Sequence, residues 1–142
     1  MTLPENRKKF EELIKKWIVM EDSTISSADE LIGQSKNPYL KTMIELVKMD
    51  SEKHRRILEA IRLSIDSTIT FTTDDMKVVD TFVEKHAAIE KNALETAEQA
   101  VEMSSLPIPK MLLEQLLTDE KKHEAYMDEL NELKLYMAKT TD

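Results

Sequence analysis

Glu21 and His54 recur as Glu90 and His123 at a constant offset of 69 residues, and all four fall on apolar stripes with helical spacing. A titratable side chain on a core-facing stripe is rare unless it is paired or bound to a metal, because an unpaired buried charge is costly. Two halves that break the pattern at matching positions predict one shared, symmetric site.

The match continues without a gap. Lys16 pairs with Lys85, Ala28 with Ala97, Ser35 with Ser104, Pro38 with Pro107, Lys41 with Lys110, Glu45 with Glu114, Asp50 with Asp119 and Lys53 with Lys122. Each half reads as two amphipathic helices. The first opens at Thr2 with Glu5 three residues on, a capping-box spacing, and ends near Gly33. Its stripe is Phe10, Leu13, Ile14, Trp17, Ile18, Glu21, Ile25, Ala28, Leu31 and Ile32. Asn37-Pro38 supplies a cap and a first-turn proline for the second helix, which runs to about Ser64 with Leu40, Met43, Ile44, Val47, Ser51, His54, Leu58, Ile61 and Ile65 inward.

The β-branched, hydroxylated stretch from Ile65 to Thr73 has low helix propensity and predicts an extended connector, followed by a cap at Thr72 or Thr73. Helix 3 then carries Val79, Phe82, Val83, His86, Glu90, Ala93, Leu94, Ala97 and Val101, and stops before Leu106-Pro107. Helix 4 carries Leu113, Leu116, Glu120, His123, Met127, Leu130, Leu133 and Met137. With one glycine in 142 residues the chain also lacks the turn residues a sheet needs, so the expectation is all-α. A lone hairpin cannot bury its apolar face, and the predicted architecture is a four-helix bundle made of two duplicated antiparallel hairpins. It forms a single domain over 1–142, with hairpins over about 3–65 and 74–138 and a connector over 66–73.

The absence of cysteine excludes disulfides, thiolate nucleophiles and Cys-ligated metals, so any metal must sit on oxygen and imidazole. A net charge of −8 opposes nucleic acid, and the Lys53, Arg55, Arg56 run reads as a solvated face. Residues Met1–Glu5 carry neither a basic nor an apolar leader pattern, and no membrane-length apolar run occurs; the expectation is a cytoplasmic protein with no membrane partner.

In each hairpin the acidic residue lies about as far before the turn as the histidine lies after it, so antiparallel packing sets them at one level, roughly 20–25 Å from the turn. Glu120 and His123, three residues apart, project from one face and can address one metal. Asp119 and its counterpart Asp50 are placed to accept the N–H of a ligating histidine from a facing helix and fix its tautomer.

At these residues the chain resembles the ferritin-like di-iron carboxylate superfamily, and its rubrerythrin-like and erythrin-like members more than the cage ferritins. Asp119-Glu120-Lys121-Lys122-His123 is similar to that family's Asp-Glu-x-x-His motif. The resemblance implies a ferritin-like bundle in which Glu21 and His54 serve one metal, Glu90 and His123 the other, and Glu120 bridges. One position departs from it: Ser51 stands where the first half should repeat Glu120. The first half-site is therefore degenerate. The alternatives are a weakly bound second metal, a hydroxide or water filling the gap, or a mononuclear site. His86, one turn before Glu90, could add a further ligand, although a core role is commoner for such a histidine; its counterpart is Trp17.

The resemblance implies iron, one or two ions, with manganese or zinc as alternatives. It also implies O₂ or peroxide as substrate in ferroxidase- or peroxidase-type oxidative-stress chemistry, with an external electron donor because the chain has no Cys₄ centre. The alternative is a metal-free helical interaction module in which the polar residues pair with one another. The connector permits a domain swap, and the expectation is a homodimer.

Overall fold

In the computed structural model, residues 2–67 and 70–140 are described. They form four helices, α1 (Leu3–Ile32), α2 (Pro38–Asp66), α3 (Thr73–Met103) and α4 (Pro107–Thr140), with no strand among them. The protein is all-helical, and none of these helices is long and apolar enough to cross a membrane. The chain divides into two compact units, residues 1–69 with α1 and α2, and residues 70–142 with α3 and α4. Each unit is a helical hairpin.

The helix boundaries follow from local chemistry. Thr2 and Glu5 close a reciprocal capping box, with Thr2 N–H donating to Glu5 Oε2 at 2.9 Å and Glu5 N–H to Thr2 Oγ1 at 3.3 Å. Asn37 Oδ1 accepts from Leu40 N–H at 3.1 Å, ahead of Pro38, which has no N–H to satisfy. Thr72, of the two candidates, caps α3, and Asp75 completes a second box at 2.8 and 3.1 Å. Helix α2 runs to Asp66, slightly past the expected Ser64, and Ser67 ends it in extended conformation. Of the expected connector, Thr68 and Ile69 lie outside the described residues. Gly33 ends α1 in the right-handed region (φ −77°, ψ −11°), so its special backbone freedom goes unused.

The cross-helix contacts run in opposite order along the two helices of each hairpin, which makes both antiparallel. In the first, Arg7 Nη2 donates to the Ile65 carbonyl at 2.9 Å, Arg55 pairs with Asp22 and Lys48 with Asp29, each at 2.6 Å. In the second, Phe71 meets the Tyr136 ring edge-on at 6.3 Å, Lys134 pairs with Asp80, and His123 faces Glu90.

Ile14, Ile18 and Leu58 form the buried seam of the first hairpin, with Ile61 packed against them, while Ala28 is buried nearer the turn. Ala97, Met127 and Met137 are buried in the second. The apolar stripes are wider than these seams: Leu13, Trp17, Leu31, Val47, Phe82 and Leu116 all belong to them and are exposed. Two helices can cover only part of a stripe spanning 100° or more, and the uncovered part is what a further layer would have to bury.

Candidate metal centre

Helical spacing carries each acidic side chain to the seam. On α1, Trp17 and Glu21 are one turn apart, and the indole Nε1–H donates to Glu21 Oε1 at 3.1 Å. Across the hairpin, His54 Nδ1 lies 3.3 Å from the same oxygen. Ser51, buried on α2, also favours the charged form of the Glu21 carboxylate. Burial pushes the Glu21 carboxyl up, but the bonds from Ser51, Trp17 and His54 and the His54 charge outweigh it, holding Glu21 below its ordinary value. The first hairpin therefore contains a carboxylate surrounded by donors.

The second hairpin repeats the backbone but not the chemistry. His123 Nδ1 lies 3.2 Å from Glu90 Oε2, as His54 does from Glu21. Where Ser51 stands in the first hairpin, Glu120 adds a second carboxylate, whose Oε2 lies 3.6 Å from His123 Nδ1. Glu90, Glu120 and His123 each present a ligand atom, all within 4.8 Å of one another. Both carboxylates are 20% exposed, whereas the imidazole is 47% exposed, so the cluster is open on the histidine side.

Glu120 Oε2 is sealed from solvent and has no hydrogen-bond donor. A bare buried carboxylate oxygen carries a desolvation penalty of about 1–3 kcal/mol or more. A divalent cation among these three residues would remove that penalty and balance two carboxylate charges with two positive ones. Mixed carboxylate and imidazole donors suit iron, manganese or zinc. The donor set thus fits a metal.

Of the five ligands expected from sequence, the first hairpin brings Glu21 to His54, and the second brings Glu90 to Glu120 and His123. His86 does not join the second group; its ring lies against Phe82 with centroids 4.4 Å apart and planes tilted by 32°. Asp119 is exposed with Oδ1 3.9 Å from Lys122 Nζ, and Asp50 is exposed. In each hairpin the imidazole Nδ1 faces a carboxylate of its own unit, Glu21 or Glu90, in place of an aspartate. Sequence reading missed the Trp17 bond to Glu21 and the influence of Ser51 on it, although both positions were visible as departures within the repeat.

Charge divides as unevenly as the ligands do. Residues 1–69 hold twelve basic and twelve acidic side chains, whereas residues 70–142 hold eight basic and sixteen acidic, so the whole net charge of −8 belongs to the second hairpin. No protein-family model, curated protein or solved structure matches this chain. The functional reading therefore stands on the two clusters themselves.

Proposed function

We propose that the chain is a metal-binding protein whose second hairpin holds a divalent cation, iron first, through Glu90, Glu120 and His123. On this reading the two hairpins pack their apolar faces as a four-helix bundle of the ferritin-like kind, related to the rubrerythrin-like and erythrin-like proteins. The metal then serves ferroxidase- or peroxidase-type chemistry toward O₂ or peroxide. The observation that carries the proposal is the orphaned Glu120 Oε2 beside Glu90 and His123.

Bound iron would supply the electrons that reduce O₂ or peroxide, a reaction helical side chains cannot perform alone. The protein's own residues do the rest. Glu90 and Glu120 would hold the cation with carboxylates from two different helices. His123 would add an imidazole nitrogen as the third ligand, its Nδ1 lying 3.2 Å from Glu90 Oε2. Its half-exposed ring borders the open side through which a small oxidant can approach. The net charge of −8 on the second hairpin raises the local concentration of cations. With no cysteine in the chain, repeated turnover requires a reductant from outside.

Anaerobic loading with Fe(II), followed by O₂ or peroxide, tests the reading. It predicts retained iron and its oxidation, both lost in Glu120→Gln. The second reading, a metal-free interaction module, is favoured by the self-satisfied Glu21 network in the first hairpin. It predicts no retained metal in parent or variant.

A further inference from the structure

The two hairpins place different chemistry at equivalent positions. Around Glu90 the matching positions hold His86, Glu120 and His123; around Glu21 they hold Trp17, Ser51 and His54. Both exchanges replace a potential metal ligand with a hydrogen-bond donor. An indole N–H donates and has no lone pair to offer a metal, and a neutral serine hydroxyl is a weak ligand beside a carboxylate. Both side chains act on one group, the Glu21 carboxylate: Trp17 donates to it at 3.1 Å, and the buried Ser51 favours its charged form. The cluster holds one carboxylate charge where the second hairpin holds two, and the balanced charge of residues 1–69 gives it no surrounding field to attract a cation. The nearby Asp22 is itself occupied by Arg55 at 2.6 Å. Glu21 is thus satisfied without a metal, whereas Glu120 is not.

We infer that the first hairpin is a closed, metal-excluding counterpart of the metal centre, and that Trp17 and Ser51 are the specificity-determining residues that exclude the ion and limit the chain to one metal. The exclusion stands on the first hairpin alone; only the count of one rests on the proposed reading of the second. The division of labour follows from chemistry: one carboxylate met by donors braces the first hairpin, whereas in the second two carboxylates face one imidazole and the Glu120 oxygen without a hydrogen bond is left for a cation.

Equilibrium dialysis against Zn²⁺ with elemental analysis tests this on the parent, Glu21→Gln, and a Trp17→His, Ser51→Glu double variant, with circular dichroism reporting the fold. The inference expects the same zinc content in Glu21→Gln as in the parent, and one additional equivalent in the double variant. Loss of an equivalent in Glu21→Gln, or no gain in a folded double variant, would overturn it. Should the double variant not fold, the indole N–H resonance of the sole tryptophan decides: Glu21→Gln should shift it and saturating Zn²⁺ should not. A zinc-induced shift as large as that of Glu21→Gln would overturn the inference. The parent's own zinc content separates the two readings, since a parent without zinc defeats the second-hairpin site while a gain in the double variant still supports exclusion by Trp17 and Ser51.

Discussion

Trp17 donates its indole N–H to Glu21 at 3.1 Å, one turn along α1, while His86 at the matching place on α3 lies against Phe82 and leaves Glu90 to His123. The same backbone repeat thus supports a filled hydrogen-bond network in one hairpin and an unfilled ligand set in the other.

Removing the indole donor should weaken the first hairpin without touching metal. Trp17→Phe keeps the ring against the stripe and loses the bond to a charged acceptor, for an expected cost of about 1 kcal/mol given its partial exposure. Urea unfolding followed by circular dichroism measures the cost, and zinc content should stay that of the parent.

Acid should remove the contribution of Glu21. Its carboxyl is held below the ordinary value of 4.5, so the folded state binds that proton less readily than the unfolded chain does. The stabilisation is therefore full above the ordinary value and is lost as pH falls through the lowered one. In chelator, the stability difference between parent and Glu21→Gln should shrink across that window. A difference that stayed constant through it would contradict the hydrogen-bond assignment.

Leu58 anchors the seam with Ile14 and Ile18, all three buried. Leu58→Ala should cost about 2–4 kcal/mol through lost burial and the cavity left behind. A cost near zero in denaturant unfolding would mean that the seam does not hold the hairpin together.

Gly33→Ala should be neutral or stabilise by about 0.5 kcal/mol, because the glycine has right-handed φ and ψ and an added Cβ meets nothing within 4 Å. A fall in the thermal midpoint would show that the turn needs the glycine's freedom.

Much of this was legible in the sequence because short-range rules govern it. Thr2 with Glu5, Asn37 before Pro38, and a cap at Thr72 or Thr73 mark helix starts by hydrogen bonds that span only three residues. The repeat likewise revealed Glu21 with His54 and Glu90 with His123, since equal distances from the turn set partners level in an antiparallel hairpin. Rotamers and cross-helix geometry were not legible. Nothing in the residue order shows that Trp17 turns its N–H onto Glu21, or that His86 turns to Phe82. Nor does a stripe tell which of its residues one partner helix will cover: Ile14 and Ile18 are buried while Leu13 and Trp17, on the same stripe, are exposed. Gly33 marked the end of α1 in the sequence, but its right-handed conformation was not legible there, because a helix can end in either hand.

The most direct test of the metal centre is the metal bound per chain after anaerobic Fe(II) loading and desalting, compared between parent and Glu120→Gln. The account predicts one iron in the parent and none in the variant, since removing the second carboxylate charge leaves Glu90 and His123 as poor a site as Glu21 and His54. Equal iron content in the two proteins, or none in the parent, would contradict it.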